Sequence, residues 1–214
     1  ALLRWRRADG TMVNPAMFIP IAEKCGLIYP IGLWVLRTAC REAIDWDGIK
    51  LSINVSPAQL RNPEFPIELG HILEESGFPA SRLELEVTET YLVTDPVVAN
   101  RNLDVIRKFG VGIALDDFGT GYASIGFLRN FKFEKLKLDR TMVVDAGLNN
   151  GSLAMMASSI AVARAMDMSV TAEGVETEAQ ANLVRTAGCD QIQGWYYYKA
   201  ITASEIRSHL DELN

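Results

Sequence analysis

The chain has 214 residues, of which 49% are hydrophobic and 22% are charged, the usage of an ordinary globular protein. This composition excludes a disordered chain, a collagen-like chain and a small disulfide-stapled protein. The formal net charge of −6, from 21 Lys and Arg against 27 Asp and Glu, argues against binding to duplex nucleic acid, because such binding surfaces are basic.

The cysteines and the hydropathy pattern indicate a cytoplasmic location. Three cysteines without a CxxC pair are typical of reduced thiols. The sequence has no run of 18 apolar residues that could span a bilayer and no signal-peptide pattern. We therefore expect no membrane contact by this domain, although a parent protein could be membrane-anchored. The chain starts at Ala1 without an initiator Met and is expected to be a piece of a longer protein.

Short β-branched runs alternate with longer helical patterns along the chain. In chain order, the predicted elements are helices at 15–25 and 31–46, a strand at 50–55, a helix at 66–75, a strand at 83–88, a helix at 96–109, a strand at 112–116, a helix at 124–129, a strand at 135–139, a helix at 152–166, a strand at 168–172, a helix at 177–187, a strand at 190–195 and a helix after Thr202. This alternation predicts a parallel sheet covered by helices. No linker divides the chain, so we expect one domain over residues 1–214.

The number of strands favours an incomplete barrel. Right-handed crossovers between parallel strands give either an open doubly wound sheet or a closed barrel. Six strands are clear, residues 2–5 resemble the tail of a seventh, and an eight-stranded barrel would need one more strand before residue 1. The chain is also shorter than the roughly 250 residues of a typical barrel. The sequence therefore predicts an α/β barrel without its N-terminal edge.

A polar side chain stands at or next to the C-terminal end of each predicted strand. In chain order these residues are Asn54, Glu86, Asp116 with Asp117, Lys137, Glu173 and Gln193. Their spacing is about one strand–helix unit, so all of them are expected at one rim, where the active sites of barrels lie. A single carboxylate in such a place is more often a helix cap or a surface ion pair, but six successive strand ends favour a functional site.

Carboxylates gathered at one rim would repel one another, and a divalent cation would relieve that repulsion. Oxygen ligands favour Mg²⁺, Mn²⁺ or Ca²⁺ over zinc. The adjacent Asp116 and Asp117 suit a pair of metal ions, the arrangement used in phosphoester hydrolysis. Lys137 at the same rim is suited either to hold an attacking water or to neutralise a developing oxyanion.

A glycine-rich segment, DDFGTGY at 116–122, follows one of the strands. Next to two acidic residues it predicts a loop that positions ligands or closes over substrate. Glu89 either anchors this loop through backbone N–H groups or is an ordinary surface residue. Trp5 and Trp195, near the rim, either stack on a nucleobase or are ordinary core or partly buried residues.

Eight motifs give the chain an end-to-end resemblance to a known family. They are ALLRW at 1–5, FIPIAE at 18–23, NVS at 54–56, EVTE at 86–89, DDFGTGY at 116–122, KLDR at 137–140, AEGVE at 172–176 and QG at 193–194. With these motifs the chain resembles the EAL domain family of cyclic di-GMP phosphodiesterases. The resemblance implies a TIM-like (β/α)8 barrel with a modified first strand. It also implies hydrolysis of cyclic di-GMP to linear pGpG, which ends a bacterial second-messenger signal.

The resemblance also implies roles for individual residues. The implied metal ligands are Asn54, Glu86, Asp116, Asp117 and Glu173, with Gln193 at or beside the site. Two ions of Mg²⁺ or Mn²⁺ are expected. Lys137 would hold the catalytic water, and Glu173 would double as a base candidate. Arg4 would contact a substrate phosphate, Asp139 would contact the nucleotide, and Glu89 would brace the glycine-rich loop.

The chain departs from the family pattern at its start. The Glu that names the family would stand immediately before Ala1, and the strand before that Glu is absent too. We therefore expect an N-terminally truncated EAL domain, impaired as a fragment. The resemblance further implies an upstream sensory or GGDEF domain in the parent protein. It also implies a weak homodimer through the apolar segment 122–133.

Two alternatives to this enzyme stay open. One is a non-catalytic cyclic di-GMP receptor or interaction module, which would be expected to have lost some of Glu86, Asp116 and Lys137. All three residues are present. The other is a different two-metal phosphoesterase on the same barrel, which the DDFGTGY and QG motifs disfavour.

Overall fold

The computed structural model describes residues 1–88, 96–119 and 125–213. Its strands are β1 (Trp5–Arg6), β2 (Met12–Val13), β3 (Leu51–Asn54), β4 (Leu83–Thr88), β5 (Gly112–Phe118), β6 (Lys135–Leu138), β7 (Ser169–Ala172) and β8 (Gln191–Ile192). Its α-helices are α1 (Pro15–Lys24), α2 (Ile28–Glu42), α3 (Pro57–Arg61), α4 (Phe65–Ser76), α5 (Pro96–Lys108), α6 (Ile125–Phe131), α7 (Arg140–Ala146), α8 (Asn150–Ala165), α9 (Glu178–Ala187) and α10 (Ala203–Leu213). The predicted alternation of parallel strands and helices is confirmed.

The described residues fall into two compact units. The first contains residues 1–86, 96–111 and 201–213, and the second contains residues 87–88, 112–119 and 125–200.

The first unit opens with an antiparallel hairpin, in which Trp5 is the register partner of Val13. Of residues 2–5, only Trp5 lies in a strand, and this strand pairs with β2 instead of extending a parallel sheet. The ring of Trp5 packs edge-on against Phe18 with ring centroids 5.4 Å apart. At the start of the chain, the amino group of Ala1 donates to the carbonyl oxygen of Ser52, so the chain begins beside β3.

The strands β3 and β4 of the first unit pair in parallel, and their register separates apolar from polar side chains. Leu51 and Ile53 are buried and pair in register with Leu83 and Leu85. The alternate positions are polar, because successive side chains of a strand point to opposite faces. Two polar pairs, Ser52 with Glu84 and Asn54 with Glu86, therefore share the other face.

The side chain of Arg82 binds the backbone of the segment that follows α2. Its guanidinium donates to the carbonyl oxygens of Ala43 at 2.9 Å, Ile44 at 3.1 Å and Ile49 at 2.9 Å, and also to that of Trp46. A cation near the C-terminal end of a helix also complements the helix dipole. One side chain therefore reaches four carbonyl groups of this segment, of which those of Ala43 and Trp46 also accept a backbone N–H, from Trp46 and Ile49 respectively, each at 3.2 Å.

We expect Arg82→Ala to lower the free energy of unfolding by about 3 kcal/mol, the upper range for hydrogen bonds made by a charged donor. Urea denaturation followed by circular dichroism measures this loss. Arg41→Ala is the matched control, because the Arg41 side chain donates within its own helix, to the carbonyl oxygen of Arg37 at 3.2 Å. Equal losses in the two variants would contradict the role of Arg82.

The second unit is built on four parallel strands in the order β5, β6, β7 and β8. In β6, Leu136 and Leu138 occupy one face, and Lys135 and Lys137 occupy the other. The predicted strand at 190–195 is shorter in the structure because the chain turns at Gly194, whose carbonyl oxygen accepts from Tyr197 N–H at 3.1 Å. Two short helices, α3 and α7, were not predicted; side chains of Ser56 and Asp139 cap them.

The apolar segment proposed for dimerisation is partly internal. Leu128, Phe131 and Phe133 are all buried, and the rings of the two phenylalanines stack with centroids 6.1 Å apart. Residues 122–124 lie outside the described residues. The three buried side chains therefore add no exposed apolar surface, and the dimer stays a prediction.

The three thiols are free, as expected. Burial raises the pKa of Cys40 to about 11, and burial together with the neighbouring Asp190 raises the pKa of Cys189 to about 11. Both thiols are therefore protonated at neutral pH. Within the described ranges, none of the helices combines the length and the apolarity needed to cross a lipid bilayer.

Candidate functional site

Three carboxylates of the second unit converge at the C-terminal ends of β5 and β7. One oxygen each of Asp116, Asp117 and Glu173 lies within 4.8 Å of the others. Asp116 is buried, Glu173 is half-buried and Asp117 is exposed, so the cluster opens to solvent on one side. The sequence predicted that these three residues share one site, and the structure brings them together.

A register shift in β5 explains how two neighbouring aspartates reach the same cluster. Successive side chains of a regular strand point to opposite faces. The pairing of β5 with β6 shifts between Leu115 and Phe118, and Asp117 adopts a φ of 55°. The N–H of Asp117 donates to Oδ1 of Asp116 at 3.0 Å. This irregularity turns both side chains to the same place, a use of strand bulges that is common beside active sites.

Lys137 supplies the counter-charge of the cluster. Its Nζ atom lies 3.0 Å from Oδ1 of Asp116 and 2.7 Å from Oε1 of Glu173, and its side chain is 5% exposed. Three carboxylates and one ammonium carry a net charge of −2 when all are ionised. One divalent cation would neutralise this charge. Carboxylate oxygens are also the ligands that Mg²⁺ and Mn²⁺ prefer, so the residues present fit such an ion.

Asn54 and Glu86 are neighbours at the ends of β3 and β4 in the first unit. They are register partners on one face of this strand pair, with Asn54 exposed and Glu86 buried. One step earlier on the same face, Ser52 Oγ donates to Glu84 Oε1 at 2.9 Å. The first unit therefore presents an amide and a carboxylate side by side, as the sequence predicted for these two strand ends.

The other predicted residues lie in varied surroundings. Gln193 is exposed, and its backbone N–H donates to Ala172 at the end of β7 at 2.8 Å. Arg4 is exposed, with its guanidinium 2.9 Å from the carbonyl oxygen of Leu3. The carboxylate of Asp139 caps α7, where it accepts from Thr141 N–H at 2.8 Å. Glu89 lies outside the described residues.

Both tryptophans considered for base stacking are exposed. Trp5 is 48% exposed and Trp195 is 65% exposed. The ammonium of Lys199 lies 5.4 Å from the centroid of the Trp195 ring. Neither residue belongs to the fully buried core, and base stacking by either residue stays a prediction.

The sequence assigned no role to Arg140 and Glu176, which form an ion pair of 3.1 Å at the end of the loop that carries Glu173. In the sequence, Glu176 is three residues from Glu173 and Arg140 is three residues from Lys137, so each charged residue lies near a predicted site residue. This spacing does not show that Arg140 and Glu176 contact each other, because they belong to different segments of the chain.

The family comparison covers most of the chain. A family model described as EAL domain matches residues 1–200. The chain is 34% identical over 211 residues to the bifunctional diguanylate cyclase/cyclic di-GMP phosphodiesterase MucR of Pseudomonas aeruginosa, with 96% of the chain and 31% of MucR covered. It is 33% identical over 215 residues to the cyclic di-GMP phosphodiesterase NbdA of the same organism, with 98% and 28% covered. The chain spans about a quarter to a third of the length of the curated relatives it matches.

A solved structure agrees with this assignment. The PaMucR phosphodiesterase in its c-di-GMP complex superposes with a TM-score of 0.90 and 34% sequence identity, covering 96% of this chain and 85% of that chain. The predicted α/β fold class, with the TIM-like fold of its structural neighbours, is thereby confirmed.

Proposed function

Because this chain belongs to the EAL domain family, we propose that it hydrolyses cyclic di-GMP to linear pGpG in a reaction that requires Mg²⁺ or Mn²⁺. In this reaction one water adds to one phosphodiester, one P–O bond breaks, and the second phosphodiester stays intact. In the parent bacterium the reaction ends a second-messenger signal.

One observation carries the proposal. Three carboxylates and a buried lysine meet at the ends of β5, β6 and β7, where α/β folds of this class place their chemistry. A receptor that only binds the nucleotide does not need this cluster. A lysine held between two carboxylates in a largely buried position is costly to maintain without a role.

The proposed ligands of the metal are the oxygens of the cluster Asp116, Asp117 and Glu173. Asn54, Glu86 and Gln193 are proposed as further ligands, and two ions are expected. When bound, a divalent cation supplies Lewis-acid polarisation of the scissile phosphate. The residues of the cluster determine where the cation binds and which side of the site stays open to solvent.

Lys137 orients the attacking water in the proposed reaction, and Glu173 accepts its proton. The ammonium of Lys137 donates to the water and orients it, because its Nζ is fixed by contacts of 3.0 and 2.7 Å to two carboxylates. Glu173, at the shorter of these distances, is the proposed acceptor of the water's proton. Arg4 is proposed to bind a substrate phosphate, Asp139 to contact the nucleotide, and Glu89 to brace the glycine-rich loop.

The assembly of the protein is also a proposal. We assign residues 1–214 to one cytoplasmic EAL domain that forms a weak homodimer and lies C-terminal to a sensory or GGDEF domain. The Glu expected immediately before Ala1 stays a prediction. Assays therefore compare two proteins, residues 1–214 alone and the natural protein that contains this sequence.

The test is an assay of cyclic di-GMP turnover by chromatography of the nucleotides. We expect pGpG to form with Mg²⁺ or Mn²⁺, no product with EDTA, and inhibition by Ca²⁺, which prefers looser coordination. Calorimetric titration of cyclic di-GMP in Ca²⁺ measures binding without turnover.

The two assays separate the candidate functions. Binding without any product in Mg²⁺ or Mn²⁺, in the natural protein, would replace the enzyme with the receptor. Product formed at full rate in EDTA would contradict metal dependence.

A further inference from the structure

The loop that carries Glu173 (residues Glu173–Glu176, the Glu173 loop) is held at two places by backbone hydrogen bonds. The N–H of Glu173 donates to the carbonyl oxygen of Leu138 at 3.0 Å. The N–H of Val175 donates to the carbonyl oxygen of Gln193 at 3.1 Å. These bonds set the path of the loop and do not depend on the identity of a side chain.

Arg140 gives the Glu173 loop a third support, made by its side chain. A Cβ atom at Gly174, where φ is +63°, would lie 2.4 Å from Cγ of Arg140, so the arginine stem packs directly on the glycine. Beyond the stem, Nη2 of Arg140 donates to Oε2 of Glu176 at 3.1 Å. The N–H of Glu176 in turn donates at 2.8 Å to Oε1 of Gln180, a side chain that also belongs to the capping box of α9. The side chain of Arg140 thus ties the loop between α7 and α9.

The exposure of the ion pair argues against a role in folding. The side chains of Arg140 and Glu176 are 58% and 33% exposed. Surface ion pairs of this kind contribute little to stability. The neighbouring carboxylate of Glu173 must nevertheless stay 2.7 Å from Nζ of Lys137 and within reach of both aspartates. Mutation of a group that orients a metal ligand typically lowers metal affinity or activity by roughly 10- to 100-fold.

We propose that Arg140 and Glu176 are positioning residues that fix the Glu173 carboxylate for a divalent metal ion. This inference rests on the proposed function, in which Glu173 is a metal ligand. Arg140 acts in two ways. Its stem packs on Gly174 and sets the distance between the loop and α7, and its guanidinium holds the far end of the loop through Glu176.

The test compares variants that remove one interaction at a time. Arg140→Met keeps an apolar stem and removes the guanidinium, and Glu176→Gln keeps the shape and removes the charge. We expect each to weaken Mn²⁺ binding, measured by calorimetry without nucleotide, by about 10-fold. We expect a lower kcat with KM changed by no more than about twofold, and an unchanged thermal unfolding midpoint. The charge-reversed double variant, Arg140→Glu with Glu176→Arg, is expected to recover most of the Mn²⁺ affinity.

Arg164→Met is the matched control, because Arg164 forms a similarly exposed ion pair of 3.6 Å with Asp190 in the same unit. Its Mn²⁺ affinity is expected to equal that of the wild type. Wild-type affinity in both Arg140→Met and Glu176→Gln would overturn the inference and leave the proposed function standing. If the variants unfold early and the double variant restores the fold without restoring Mn²⁺ affinity, the pair is structural and the inference is also overturned. A wild-type protein that neither binds Mn²⁺ nor hydrolyses cyclic di-GMP would instead contradict the proposed function.

Discussion

Replacing Asp116 with Asn is expected to lower the turnover of cyclic di-GMP by more than about 100-fold, beyond the effect typical of residues that only support a metal ligand. The change removes one of three negative charges from the cluster and one of the two carboxylates that hold Lys137. The amide oxygen of Asn is still able to accept from Asp117 N–H, the contact that Asp116 makes at 3.0 Å. The fold should therefore survive while metal binding fails.

Two measurements check this expectation together. Turnover is assayed in saturating Mn²⁺, and Mn²⁺ affinity is measured by calorimetry on the same preparation. Glu178→Gln is the control, because Glu178 is an exposed carboxylate in the first turn of α9. Near wild-type turnover in Asp116→Asn would remove Asp116 from the set of ligands and disprove the site as assigned.

Lys137→Met is expected to lower kcat by about 100- to 1000-fold, the loss seen when one group that stabilises the transition state is removed. KM should change little, because a group that orients the water acts mainly in the transition state. The variant has a second effect, since two carboxylates at 3.0 and 2.7 Å from the ammonium lose their shared partner. Breaking a largely buried ion pair in this way should cost about 3 kcal/mol of unfolding free energy without metal.

The two effects of Lys137→Met are separable by experiment. Denaturation in EDTA and in Mn²⁺ measures stability, and we expect Mn²⁺ to restore part of the loss because it replaces the missing positive charge. Steady-state kinetics in Mn²⁺ measures the remaining catalytic defect. Lys137→Arg, which keeps the charge, should retain stability. A variant that is stable in EDTA and loses only affinity for cyclic di-GMP would show that Lys137 binds substrate and does not act on the water.

The ends of the parallel strands were predictable because the strand pattern is regular. Each of β3 to β7 is short and apolar on one face, and the first polar residue at its C-terminal end marks the rim. This pattern predicts that Asp116, Lys137 and Glu173 lie together, and in the structure the three side chains meet. Alternation alone predicts the pairing of Asn54 with Glu86 in the same way.

Other parts of the site depend on geometry that composition does not encode. The shared direction of Asp116 and Asp117 arises from a register shift and a positive φ, and a regular strand would have separated them. The role of Asp139 as the cap of α7 was not predicted, because the sequence assigned this residue to contact with the nucleotide. The ion pair of Arg140 with Glu176 joins residues 36 positions apart, a distance at which sequence spacing gives no guide to contact.

The ammonium of Lys137 between Asp116 and Glu173 bears on whether the protein folds before or after it binds metal in the cell. In many small metal-binding domains, metal loading is tied to folding, and the apo chain stays unfolded until the ion arrives. Here the chain carries its own positive charge into the cluster, so the nascent polypeptide can complete its fold while metal is scarce. Under the proposed function, fluctuations in the metal supply would then alter how fast the messenger is degraded while leaving the number of protein molecules unchanged.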